Sequence, residues 1–181
     1  MGAAGTLEPR ADWTEAARAN IAAAFAANLT SHGHAPVAVN ADEAFVGRSD
    51  QLVRLHEAVG QSILLHSYGY IPLPTHPRDQ FNWTLGPGTQ EIAASTQARY
   101  ALFITGRGSY ASSGRYAAMI GLAMLGVGVP LGGQNMFASL VDLQSGDVIW
   151  FNLATASPTA DMREAEGARI LVEELMKEGP L

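Results

Sequence analysis

Apolar residues recur along this chain at two different spacings, and each change of spacing marks a change of element. Over residues 12–29, Trp13, Ala17, Ile21, Phe25 and Leu29 return at every fourth position on an Ala-rich background. That spacing puts them on one face of an amphipathic helix. Asp12 stands ahead of it with Glu15 three residues on, the pattern of a capping box. "SHGHAP" ends the helix, and "VAVN" from Val37 predicts a short buried strand. Ser49 or Asp50 caps a second helix with Leu52, Leu55, Val59, Ile63 and Leu64 in helical period, closing at "SYGY". The next stretch, "IPLPTHPRDQFNWTLGPG", holds four prolines and two glycines. It predicts an ordered surface loop with at most a short extended piece, leading to a short helix over residues 89–96.

The pattern then turns to strands. Residues 100–105, "YALFIT", form the clearest one. "FASLVDLQSGDVIWFNLA" predicts a hairpin around Gln144, Ser145, Gly146 and Asp147, with Gly where a positive φ is wanted. Its second arm, Val148 to Phe151, is apolar at successive positions, as in a strand covered on both faces. A last helix is expected over residues 161–177, with Met162, Ala165, Ala168, Ile170, Leu171 and Leu175 inward. The hairpin must be antiparallel, while the earlier connections are long enough to cross over. The expected fold class is therefore α/β: a three-layer single domain over residues 12–181, with a mixed β-sheet and helices on both faces. Residues 1–11 are small and polar and read as a flexible N-terminal tail.

Composition narrows the function. With 181 residues, 48% hydrophobic and 15% charged, the chain is long enough for one sizeable core and too apolar for disorder. Its net charge is −6, Lys177 is the only lysine, and the arginines are scattered. No basic stripe is present to follow a phosphate backbone, which excludes nucleic acid as the expected partner. Without Cys there is no disulfide, thiolate metal site or Cys nucleophile. Residues 1–13 show no charged segment followed by an apolar one, so no signal peptide is written in them.

The chemical motifs are weak on their own terms. Gly106 to Ala111 fits G-x-G-x-x-A, but no acidic residue follows before Asp142 and no P-loop lysine exists. The expected reading is a strand ending in a Gly-permitted bend rather than a nucleotide cradle. Ser109, Ser112 and Ser113 fit no nucleophile elbow, and no His follows His76. His32 and His34 form an H-x-H pair without third or fourth metal ligands nearby. His56, amid apolar helix neighbours, reads as a satisfied core histidine. Residues 117–133 are uncharged and rich in Gly and Ala. They predict a buried small-residue helix, or else an apolar contact surface. Arg107 and Arg115 bracket the short loop, with Asp142 and Asp147 as carboxylates for bidentate pairing.

"ARYALFITGRGSYASSGR", a Gly-rich apolar stretch, "ASLVDLQSGDVIWFN" and an acidic closing helix resemble a group of bacterial envelope lipoproteins. These are the curli-secretion lipoprotein (CsgG-like) family and its relatives, including LpoB-type activators of peptidoglycan synthases and domains like the N-terminal domain of TolB. The hairpin string is carried here by Leu140, Val141, Asp142, Leu143, Ser145, Gly146, Asp147, Val148, Trp150 and Phe151. The resemblance implies a non-enzymatic, periplasm-facing accessory domain, without catalytic site, cofactor or metal, that binds an envelope protein partner. It also implies a homo-oligomer as one assembly, and outer-membrane attachment through a lipidated Cys and apolar leader upstream of residue 1. Candidate interaction or structural-motif residues are Arg107, Tyr110, Arg115, Asp142 and Trp150. The alternative is a small hydrolase or ligand-binding enzyme using His32 and His34 or the loop from Arg107 to Arg115.

Overall fold

A computed structural model describes residues 8–69, 71–74, 76–77, 79–110, 132–156 and 160–181. The first helix, α1 (Ala11–Ser31), buries Ile21, Phe25 and Leu29, the apolar stripe that the fourfold spacing predicts. Its capping box does not form. Arg10 occupies the N-cap without a side-chain bond, and Asp12 instead takes two hydrogen bonds from the Arg10 guanidinium, at 3.0 and 2.7 Å. After a short turn, α2 (Ala41–Ala44), comes α3 (Arg48–Ile63), followed by a π-turn at Leu64–Tyr68. The buried face of α3 is Leu52, His56, Gly60 and Ile63. Leu55, expected inward, is an exposed side chain. Gly60 is required there, because a Cβ would stand 2.4 Å from the Phe137 ring.

The short helix after the proline-rich loop is α4 (Gln90–Thr96), and the closing helix is α5 (Ala165–Met176). In α5 the buried face is Gly167, Ala168, Leu171, Val172, Leu175 and Met176. Ala165 and Ile170, expected inward, are exposed, because the helix begins at residue 165 and its buried stripe is set by Ala168, Leu171 and Leu175.

Three strands make one sheet in the order β1-β2-β3: β1 (Tyr100–Tyr110), β2 (Gly132–Asp142) and β3 (Val148–Thr155). Both pairings are antiparallel, so the expected mixed sheet is corrected to an antiparallel one. The short buried strand expected at "VAVN" does not form either: Val37 is 84% exposed. Four residues between Pro36, which has no N–H to give a ladder, and the α2 turn are too few to hold a strand on their own.

The bend expected at Gly106 is also absent. β1 continues through Arg107, Gly108 and Ser109 to Tyr110, each paired with a β2 residue from Met136 to Gly132. A continuous ladder outweighs the weak strand preference of two glycines. The hairpin of β2 and β3 forms as the pattern predicts, with a register shift between Leu140 and Val141. Gly146 supplies φ +85 at its turn, and the Gly86 carbonyl lies so close that a Cβ would meet it at 2.1 Å.

Alternate residues of β2 enter two apolar clusters. Met136 and Ala138 pack with Ile21, Phe25 and Leu29 of α1 and with Leu171 and Leu175 of α5. Phe137 and Val141 pack with Leu52, Ile63, Ile92, Trp83, Leu143 and Phe151. The coarse class is mixed α and β, with helices α1, α3, α4 and α5 and a three-stranded antiparallel sheet. The predicted small-residue segment lies outside the described residues except for Gly132 and Gly133, which open β2.

Candidate functional site

β1 is the terminal strand of the sheet on one side. Along residues 100–109 no backbone hydrogen bond reaches its outer side among the described residues. The other edge is partly covered: Val148 N–H donates to the Trp83 carbonyl at 2.9 Å, and Leu85 N–H donates to the Gly146 carbonyl at 2.8 Å. The β1 edge bears the exposed side chains of Tyr100 and Ile104. A long unpaired edge is a template for another strand.

The sequence-predicted residues fall in separate places around this sheet. Arg107, on β1, forms an exposed ion pair with Glu57 of α3 at 2.9 Å. Its expected carboxylate partners were Asp142 and Asp147. Asp142 pairs across the sheet with Tyr100, seven residues along β1 from Arg107, and meets Arg99 at 3.6 Å. It also accepts the Gln144 N–H at 2.8 Å, so it serves the hairpin turn. Trp150, on the arm expected to be covered on both faces, is half-buried at the rim of the α1 and α5 cluster, where its indole N–H donates to the Glu178 carbonyl at 3.2 Å. An indole N–H needs a partner, and the chain end past α5 provides one. Arg115 lies outside the described residues.

Tyr110 is the best-connected of the set. Its hydroxyl donates to Gln134 Oε1 at 2.7 Å, and that oxygen also accepts the Met162 N–H at 2.8 Å. The Arg163 guanidinium lies 3.6 Å from the ring centre and 4.4 Å from that of Trp13. Trp13 and Tyr110 meet edge to face at 5.5 Å. Arg163 in turn is clamped by Asp161 at 2.6 Å, which holds that carboxyl below its ordinary range. Burial, and then the Asp161 charge, push the Tyr110 phenol well above its ordinary value. Such a phenol stays protonated, so it acts as a donor that fastens the far ends of β1 and β2 to α1 and to the approach to α5.

The histidines divide by environment. His32 and His34 are exposed, and His32 Nδ1 is engaged with the Asn28 carbonyl at 2.8 Å. Among the described residues no group of three or more His, Asp or Glu could hold a metal ion. His56 is 3% exposed and bonds through Nε2 to Ser139 Oγ, itself 1% exposed. Its ring stacks on Phe103 at 4.3 Å. Burial lowers its pKa to about 4, so it stays neutral and ties α3 to β2. This is a His–Ser pair, but one sealed inside the core.

A second pair was missed by sequence reasoning. His66, on the π-turn, is 2% exposed, and His76 in the proline-rich loop stacks on Trp83 at 4.1 Å. The signal that could have found them is the "LLHSY" and "PTHPR" context, where a His among apolar and proline residues has few routes to water. Elsewhere, a hollow of about 290 Å³ opens between Val37, Val39, Ala44, Phe45, Ser95 and Thr96. Among the described residues its walls hold no titratable group. No helix among the described residues is long and apolar enough to cross a membrane. In comparisons with known proteins, no family model, curated protein or solved structure matches this chain.

Proposed function

We propose that this chain is a non-enzymatic, periplasm-facing envelope accessory domain that binds a protein partner by strand addition along the outer edge of β1. The observation that carries the reading is the unpaired backbone of residues 100–109 on a terminal strand. Added strands bind through main-chain hydrogen bonds, with alternate side chains setting specificity. The architecture that goes with it is a three-layer α/β domain, α1 and α5 covering one face of the sheet and α3 and α4 the other. Its support is the division of alternate β2 residues between two apolar clusters, since successive strand side chains point to opposite faces. Envelope placement through a lipid anchor rests on the likeness of the β1 and hairpin strings to the curli-secretion lipoprotein family. Cell fractionation of the full natural reading frame tests that placement, and a cytoplasmic protein would refute it.

Strand addition is tested with proline. Adjacent residues of an edge strand turn their N–H groups in alternate directions, one to the neighbour and the next outward. Of Ile104→Pro and Thr105→Pro, one therefore breaks the ladder to β2 and the other removes only an outward donor. A photo-crosslinker placed at Tyr100 should capture an envelope protein. The outward proline should abolish capture while the melting temperature stays near that of the unsubstituted protein. Capture that survives both substitutions would move the partner away from β1.

A further inference from the structure

His66 and His76 bring two imidazole nitrogens out of water without a bonding partner. His66 Nδ1 accepts the Leu73 N–H at 3.2 Å. A backbone amide can only donate, so Nδ1 is bare and the neutral ring carries its proton on Nε2. That Nε2 is buried and unpartnered, and so is Nε2 of His76. An unbonded buried donor is costly enough to call for an explanation. The two ring centres stand 6.1 Å apart with planes at 85°, and no direct hydrogen bond joins them. The surroundings hold both rings in place: His76 lies nearly flat on Trp83, at 26°, and His66 is fixed by the π-turn and by Leu73.

We propose that His66 and His76 form a buried site for one water molecule, which accepts the His66 Nε2–H and bonds to Nε2 of His76. The bridge ties the proline-rich loop to the end of α3. An oxygen hydrogen-bonded to an imidazole nitrogen lies about 4 Å from the ring centre at most, so rings 6.1 Å apart are close enough to share one. Two polar partners meet the lower requirement for a buried water.

The same geometry argues against a metal ion. A metal-ligating histidine donates its other N–H to an acceptor, whereas His66 does the reverse. To ligate through Nε2 it would have to move its proton to Nδ1, against the Leu73 N–H.

The test is nuclear magnetic resonance on the full chain with ¹⁵N-labelled histidine at neutral pH. The expected spectrum has His66 protonated at Nε2 and bare at Nδ1, with a rotating-frame cross-peak from Nε2–H to water. His76→Gln, which keeps a polar end, should retain that cross-peak. His76→Phe should lose it and speed exchange of the His66 Nε2–H by about tenfold or more, as for one lost hydrogen bond. If His76→Phe does not fold, the unsubstituted protein and His76→Gln decide the matter. A proton on Nδ1, or a protected Nε2–H without a water cross-peak, overturns the proposal. So does one equivalent of Zn²⁺ that shifts both rings.

Discussion

The two apolar clusters are built by different means. Around α1 and α5 the buried side chains are Ile, Phe, Leu, Met, Val and Ala. The buried polar side chains of the described residues are His56, His66, Thr89 and Ser139, and they lie on α3, on the turns next to α3 and α4, and on β2. Each has a named bond: His56 with Ser139, His66 with Leu73, and Thr89 with the Leu143 carbonyl. The first cluster needs only enough apolar surface of about the right shape. The second depends on particular partners, because removing one leaves the other buried and unsatisfied.

The largest expected effect tests the apolar cluster. Phe25 is 3% exposed between α1 and α5, so Phe25→Ala should cost about 3–5 kcal/mol in urea denaturation. A loss below about 1 kcal/mol would mean that α1 does not rest on this core. The Met-rich lining (Met136, Met162 and Met176) should let Phe25→Leu relax with far less loss, since Met fills gaps that rigid side chains cannot.

The polar cluster should answer to pH. Burial lowers the pKa of His56 from 6.5 to about 4, so between these values the unfolded chain binds the proton and the folded chain does not. Stability therefore rises with pH through that window. The contribution is complete above about 6.5 and is lost as pH falls toward about 4, to a total of about 3 kcal/mol. The double variant His56→Phe with Ser139→Ala should flatten this part of the pH profile. Ser139→Ala alone should cost about 1–3 kcal/mol, because it orphans His56 Nε2. The double variant should lose less than the sum of the singles, the mark of a coupled pair. Strict additivity would show that the two side chains do not depend on each other.

The same contrast governs what was legible in the sequence. In α1 the spacing of Ile21, Phe25 and Leu29 marks the buried stripe directly, because every member is apolar. In α3 the buried stripe is Leu52, His56, Gly60 and Ile63, half of it invisible to a count of hydrophobic residues. Counting therefore rotates the face toward Leu55, which is exposed. The apolar neighbours of His56 mark it as a core histidine, but the partner that satisfies it is Ser139, 83 residues away, and Gly60 faces inward because Phe137 needs the room. Neither fact is local. The hairpin was readable because its turn chemistry and its two arms lie within one short window. "VAVN" misled because an apolar run states a preference for burial without supplying a strand to pair with. Of the candidate site, the residue types on β1 were visible. That β1 would be a terminal strand with a bare outer side was not, since strand order follows from the whole sheet.

Trp150 sharpens the comparison at the rim of the apolar cluster. Because it is half-buried and its indole N–H reaches the Glu178 carbonyl near the chain end, Trp150→Ala should cost about 1–2 kcal/mol rather than the amount expected of a core tryptophan. A loss as large as that of Phe25→Ala would mean that Trp150 packs as deeply as the α1 stripe.

The smallest expected effect belongs to Arg107, which lies outside both clusters. Its ion pair with Glu57 is exposed on both sides, 65% and 49%. Solvent screens such a pair, and its two flexible side chains lose rotamer freedom to hold it, so Arg107→Ala should change stability by about 0.2–1 kcal/mol. That near-neutrality makes the substitution informative about binding. The guanidinium stands on β1 beside the bare edge, where an incoming strand could exchange Glu57 for a carboxylate of its own. Arg107→Ala should therefore weaken capture through a Tyr100 crosslinker without moving the denaturation midpoint beyond that small range. Two results would count against this. Unchanged capture would leave Arg107 as a solvated surface charge. Saturable nucleotide binding by calorimetry, lost in Arg107→Ala, would mean that the Gly106 to Gly108 stretch is a phosphate site after all, and that the edge of β1 serves a ligand rather than a strand.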